Sequence, residues 1–283
     1  MDTKSPPQHF QLDMQDSVNV ICPRSSDTWL MGCGKHLLQV QLNSASLTLL
    51  WSVECGDEIN SVDINDKQTC CAVADDTGSV SLIDLKSGKM HKKLSGHDNI
   101  CQCVKFRPKS PWCLLSGGLD CMLFLWDFKK GQALASVNMA DEIRKGEVES
   151  EKSSYVVNPP LIHSLCITAD GLIAAVGLEN GKIMLFTIGG KGLKLASCFD
   201  AHSQGVSSLG LTNDLTLVSA GNDTRIVVWA LSTARAPGKT LVWANELHSI
   251  THAEKPSGIQ ILNESKRIIV ADETETVKIY DYS

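Results

Sequence analysis

His97, Ser116 and Asp120 are the residue types of a nucleophilic triad. A serine activated by a histidine that an aspartate orients would carry out acyl transfer. The same types recur as His202, Ser219 and Asp223, and each set is followed by a tryptophan, Trp126 or Trp229. Ser219, Asp223 and Trp229 keep the offsets of Ser116, Asp120 and Trp126. This repetition, with an indole donor each time, points to a buried polar chain and away from a nucleophile. The aspartate accepts from the histidine ring, the histidine reaches the serine hydroxyl, and the serine oxygen takes the indole N–H. Every buried polar group then has a partner. All eight residues are therefore read as structural. The chain carries no nucleophile elbow, P-loop, HExxH or glycine-rich dinucleotide loop. Gly189-Gly190-Lys191-Gly192 sits between strands and reads as a hairpin turn. The expectation is a non-enzyme without cofactor or metal.

The elements that would position these residues are short strands. Gly96–Asp127 contains two short apolar runs and a tight Gly-Gly-Leu-Asp turn, opens on Gly96-His97 and closes on Trp126-Asp127. Here His97 falls in the loop before a first strand, Ser116 on a second, Asp120 in the following turn and Trp126 on a third. Ala201-His202 opens a second copy. Ala72–Leu85 and Val270–Tyr282 match each other, with Ile83 and Tyr280 in the tryptophan slot. Ala175–Ile188 places Phe186 in that slot and Asn180 in the aspartate slot; Trp29–Leu42 is the most degenerate copy. Six copies at a spacing of about 40 residues resemble WD40 repeats, the four-stranded blades of a β-propeller.

Composition agrees with an all-β chain. Of 283 residues, 43% are hydrophobic, and β-rich runs broken by Gly, Asp, Asn and Ser outnumber helix-period stretches. No apolar run approaches the roughly 20 residues of a membrane helix, and the N-terminus lacks a signal-peptide core. Eleven cysteines, several on strands, read as free buried thiols of a reducing compartment, cytoplasmic or nuclear. Cys70-Cys71 and Cys101-Gln102-Cys103 are poor metal ligands, because neighbouring strand residues point to opposite faces. A net charge of −6 without a dense Lys/Arg run argues against nucleic acid.

Residues 1–8 read as a flexible lead-in and 9–283 as a single propeller domain, monomeric by itself. His9–Met14 alternates apolar and polar like an edge strand. Phe10–Met14 is expected to close the ring by completing the last blade, which ends after its third strand. The charged insert 141–154 and the segment 245–256, with His248 and His252, are expected to be inter-blade loops.

Within the WD40 family, DEINSVDIN, HDNICQCVKFRPKSP, NPPLIHSL and GNDTRIVVW resemble, in order, the animal WD repeat-containing protein 53 family. That family is seven-bladed, so the chain is either a six-blade ring or a shortened seven-blade form. The resemblance implies a non-catalytic scaffold that binds proteins or peptides on its top face. The positions concerned are Glu58, Asn99 and Gly205 before the first strand, a second site two residues further on, and Asp76, Leu119, Glu179 and Asn222 before the turn. Glu58, Asp76 and Glu179 would make this rim acidic and suited to basic peptides such as histone tails. Another role it implies is a substrate receptor of a cullin-RING ubiquitin ligase. The adaptor contact would be Trp126, Asp127 and Lys129, although lysine stands where such receptors carry arginine. The ring-closure reading is tested by deleting residues 1–15, which is expected to lower the melting temperature; an unchanged value would exclude it.

Overall fold

The computed structural model describes residues 16–43, 46–146, 158–190, 192–236, 239–263 and 265–282. The lead-in and the strand expected at Phe10–Met14 lie outside them. Six antiparallel sheets follow one another along the chain. Blade 1 contains β1 (Val18–Pro23), β2 (Thr28–Cys33), β3 (His36–Leu42) and β4 (Leu47–Glu54). Blade 2 contains β5 (Ile59–Ile64), β6 (Cys70–Asp75), β7 (Ser79–Asp84) and β8 (Met90–Ser95). Blade 3 contains β9 (Cys101–Phe106), β10 (Cys113–Gly118), β11 (Met122–Asp127) and β12 (Gln132–Asn138). Blade 4 contains β13 (Ile162–Ile167), β14 (Ile173–Leu178), β15 (Lys182–Gly189) and β16 (Gly192–Asp200). Blade 5 contains β17 (Val206–Leu211), β18 (Thr216–Gly221), β19 (Arg225–Ala236) and β20 (Lys239–Thr251). Blade 6 has three strands among the described residues, β21 (Gly258–Leu262), β22 (Arg267–Ala271) and β23 (Lys278–Asp281). The protein is a six-blade β-propeller.

The second and third strands of each blade are too apolar to face water, so neighbouring sheets bury one another. Leu30 and Leu37 of blade 1 pack on Ile59, Val73 and Ile83 of blade 2. Ala74 and Leu82 of blade 2 meet Val104, Leu114 and Trp126 of blade 3, and comparable clusters seal the next three junctions. Fully burying one such side chain is worth about 1.5–3 kcal/mol, which makes these junctions the main source of stability. On the side of blade 6 away from blade 5, Ile279 is 57% exposed.

Two segments depart from the sequence expectation. Asn245–Thr251 is not loop: it forms the second half of β20, paired with β19 as far as Arg225↔Thr251. The strand formers Thr240, Leu241, Val242 and Trp243 begin the pairing, and Arg225 holds Glu246 at 3.3 Å across the ladder. The charged insert also begins as a helix, α1 (Met139–Gly146). Asn138 caps it, its Oδ1 accepting from the N–H groups of Ala140 (2.9 Å) and Asp141 (3.2 Å). Met139 is fully buried and Ile143 packs beside it, so the i, i+4 apolar pair anchors a helix that also carries Asp141, Glu142, Arg144 and Lys145. Residues 147–154 of the insert lie outside the described residues.

The His–Ser–Asp–Trp sets tie blades 3 and 5 from turn to core. His97 Nδ1 lies 3.0 Å from both Asp120 oxygens and its Nε2 2.8 Å from Ser116 Oγ, which accepts from Trp126 Nε1 at 2.8 Å. In blade 5 His202 lies 2.9 Å from Asp223 and 2.8 Å from Ser219, which accepts from Trp229 Nε1 at 2.9 Å. Gly118 and Gly221 sit against these pairs. A Cβ on Gly118 would lie 2.6 Å from His97 Nδ1 and 2.7 Å from Asp120 Oδ1, and one on Gly221 would collide likewise with His202.

Blade 6 solves the same problem differently. His252, expected in a loop, has a fully buried side chain. Its Nε2 lies 2.8 Å from Asp272 and its Nδ1 2.8 Å from the Tyr280 hydroxyl. The Thr274 hydroxyl and N–H, with His252 adding to them, hold the Asp272 carboxyl down to about 2.

Asp120→Ala and Trp126→Ala are each expected to destabilise the fold by about 2–4 kcal/mol, by stranding buried polar groups or opening a cavity, and Gly221→Ala is expected to destabilise it by driving its Cβ into the His202 ring. Calorimetry that finds unchanged melting temperatures would show that the tethers do not stabilise the fold. A pH dependence follows as well. Burial depresses the His202 pKa, against the pull of Asp223. Burial also pushes the carboxyls of Asp120 and Asp223 up, but their histidine and N–H bonds outweigh it and hold both below the usual range. In all three cases the unfolded chain takes up protons more readily, so stability is present above the unfolded pKa values and is lost on acidification. The urea midpoint is expected to fall once pH drops below about 6.5, where the unfolded chain's histidine takes up a proton that folded His202 resists, and again below about 3.9, where the same holds for the two aspartates. A midpoint that stays constant from about pH 7 to pH 5 would show that burial does not hold His202 neutral.

Candidate functional site

A small irregularity at the start of the inner strands builds the site. In β1, β5, β9, β13 and β17 the register slips once, opposing two residues to one on the partner strand. The extra residues are Asn19, Asn60, Gln102, His163 and Ser207. All are polar, and all line a central channel of about 670 Å³. A bulge turns its extra side chain off the sheet face, which is how a strand with two apolar faces offers a polar group to the channel.

Three of these side chains meet carboxylates from neighbouring loops. Asn19 Nδ2 donates to Glu58 Oε1 at 2.6 Å, and Asn60 Nδ2 to Asp76 Oδ1 at 2.7 Å. His163 Nε2 stands 2.7 Å from Glu179 Oε2 but is not aligned for a hydrogen bond to it, so the contact is one of charge when the ring is protonated. Glu58 and Asp76 lie together, the Asp76 N–H donating to the Glu58 carbonyl at 3.0 Å. Glu179 belongs to a second group with Gly205 and Asn222. The Asn222 N–H donates to the Gly205 carbonyl at 2.8 Å, and Gly205 has no room for a Cβ beside the Glu179 carboxylate.

Asn99 and Leu119 occupy blade 3, between the two groups. Asn99 Oδ1 accepts from the Ile100 N–H at 2.8 Å, and the Leu119 N–H donates to the Ile100 carbonyl at 2.9 Å. Glu58 and Asn99 are exposed; Asp76, Leu119, Glu179 and Asn222 are half-buried, and Gly205 is buried. Of the seven positions, Glu58, Asp76 and Glu179 thus stand directly against residues that line the channel.

The sequence profile of the nucleolar protein 10-like N-terminal domain matches residues 62–282, from within β5 to the end of blade 6. The chain belongs to this β-propeller family. A WD repeat-containing protein 53 homolog of Dictyostelium discoideum is 27% identical over 190 residues, covering 62% of this chain and 52% of that protein. The WD repeat-containing protein ATCSA-1 of Arabidopsis thaliana is 27% identical over 185 residues, 59% of this chain and 41% of that one. The chain spans about half the length of these curated relatives. Among solved structures, the β-propeller domain of Myceliophteria thermophila Cps50 (Swd1) superposes with a TM-score of 0.75, covering 93% of this chain and 83% of that one. At 12% identity the likeness is one of fold.

The remaining candidates in this nucleolar protein 10-like propeller lie elsewhere. Trp126 is 3% exposed and belongs to the tether of blade 3. Asp127 Oδ1 accepts from the Lys130 N–H at 3.0 Å, and Lys129 Nζ sits 4.7 Å over the Trp112 ring. These three residues do not form one exposed contact set. Burial pushes the Cys22 and Cys70 thiols up to about 11 and those of Cys103 and Cys166 to about 12, so they stay protonated and poorly nucleophilic. Among the described residues, no three of His, Cys, Asp and Glu gather at metal-binding distance, and no helix is long and apolar enough to cross a membrane.

The sequence reading placed one top-face position two residues after Glu58, and Asn60 occupies it. It did not anticipate Asn19 or His163. The signal was present as an aliphatic–polar pair opening four inner strands: Val18-Asn19, Ile59-Asn60, Ile162-His163 and Val206-Ser207.

Proposed function

We propose that this chain is a non-catalytic protein-interaction scaffold that takes a basic peptide segment on its top face, across the channel mouth. The carboxylates of Glu58, Asp76 and Glu179 carry this reading. Each sits beside a bulge side chain at the rim. Groups held in place lose little side-chain entropy when a ligand arrives, and a lysine or arginine bonds them with charge assistance. The net charge of −6 adds steering for a cationic partner. A rigid ring of packed sheets keeps these groups in place. The free cysteines fit a reducing compartment, cytoplasmic or nuclear. A substrate-receptor role in a cullin-RING ligase is less well supported, since Trp126 is buried and Asp127 is engaged in its own turn.

The test is titration calorimetry with a histone-tail peptide rich in lysine and arginine. Glu58→Gln with Glu179→Gln is expected to weaken binding about tenfold or more at unchanged melting temperature. In cells, an Asn99/Leu119/Asn222 surface variant should lose the same partners. Unchanged affinity in the double variant would remove the basic-peptide reading.

A further inference from the structure

The opposite face carries a second surface with the reverse charge. The connections β5–β6, β9–β10 and β11–β12 meet there, where blade 2 adjoins blade 3. They enclose a cleft of about 370 Å³, within the roughly 300–1,000 Å³ typical of ligand pockets. Its floor is apolar: Cys70, Leu82, Trp112 and Phe128. Phe106, Phe128 and Trp112 form an edge-to-face tier with centroids 5.4 and 5.8 Å apart. Yet Trp112 remains 46% exposed, an unusual state for a tryptophan already packed on one side.

The rim is cationic. Lys67, Lys92 and Lys129 line the cleft beside His91, against one carboxylate, Asp84. An adjoining recess of about 300 Å³ shares Lys67 and adds Arg107 and Lys109 against one carboxylate, Asp66. Both carboxylates are already engaged. Asp84 accepts from the Ser87 hydroxyl and N–H at 2.7 Å, and Asp66 from the Lys109 N–H at 2.9 Å. Arg107 is committed to the carbonyls of Gly171 and Ile188, and Lys92 to that of Lys129. Among the described residues, Lys67, Lys109 and Lys129 have no ion-pair partner, and Lys129 Nζ, 4.7 Å over the Trp112 ring, puts its charge on the aromatic floor itself. In a chain of net charge −6, this is a concentrated run of positive charge beside an open aromatic floor.

We propose that this cleft docks a short acidic peptide of a partner protein, with one apolar side chain seated on Trp112 and Phe128. Flanking carboxylates reach Lys67, Lys109 and Lys129. Two joined recesses with cations along their length fit an extended peptide, and the aromatic floor selects the anchor. Exposed aromatics and desolvated cations are the groups that dominate such contacts.

The test is selection of short random peptides displayed on phage against the full chain. The expected result is enrichment of sequences with several Asp or Glu around one Trp, Phe, Leu or Ile. A synthetic peptide of that sequence should bind about tenfold more weakly to Trp112→Ala and to Lys67→Glu, and should lose affinity with added salt. Glu179→Gln should leave it unchanged, which separates this site from the top face. Melting temperatures serve as the folding control. Absence of enrichment over Trp112→Ala bait, enrichment without acidic residues, or affinity retained in both variants would overturn the proposal.

Discussion

Face-to-face burial between neighbouring sheets is the interaction on which the rest of this structure depends. A sheet whose two central strands are apolar on both sides has no stable solution alone, and a neighbour must cover each face. Stacking the blades around an axis meets that demand at five junctions. It also brings every inner strand to the same channel. The strands cannot offer polar side chains there while keeping both faces apolar, and the bulges resolve the conflict by supplying one extra residue each. The channel mouth is thus a by-product of packing, then furnished with Asn19, Asn60 and His163.

Each blade must also hold its loops against its core, and the chain does so in more than one way. Blades 3 and 5 use aspartate, histidine, serine and tryptophan. Blade 6 places His252 between Asp272 and Tyr280, so the phenol hydroxyl takes over the work of serine and indole together. In blade 2, Asp75 is fully buried and satisfied by the N–H groups of Thr77 and Ser79 in its own turn and by the N–H of Gly56 in the β4–β5 connection. These arrangements share one requirement, that no polar atom carried inward by the turn is left unpaired. Where the tryptophan slot holds Phe186 or Ile83, no such chain is needed and packing alone fills the space.

The two faces differ in charge because their loops differ in composition, at no expense to the core between them. Carboxylates gather at the channel mouth, and lysines gather around the aromatic cleft below. The packed sheets of the ring separate the two. Rigidity suits a scaffold better than a catalyst, which needs groups that move or exchange protons. The buried thiols and the neutral His202 are removed from such chemistry by their burial.

Much of this was legible in the chain itself. The repeated offsets of Ser116, Asp120 and Trp126 specify a blade, because a strand–turn–strand unit fixes how many residues separate groups that meet. The spacing of six copies then dictates a propeller. Local pattern could not reveal events that depend on neighbours. Asn245–Thr251 reads as polar loop, yet a long β19 gave it a partner and made it strand. Asp141–Gly146 reads as a charged linker, yet Met139 found a buried seat and the Asn138 cap started a helix. His252 reads as a loop residue until Tyr280 and Asp272 close around it. The channel mouth and the basic cleft were likewise decided by tertiary structure alone, since each gathers side chains from several blades. Sequence determines what a segment can pair with, and only the packing of blade on blade determines what it meets.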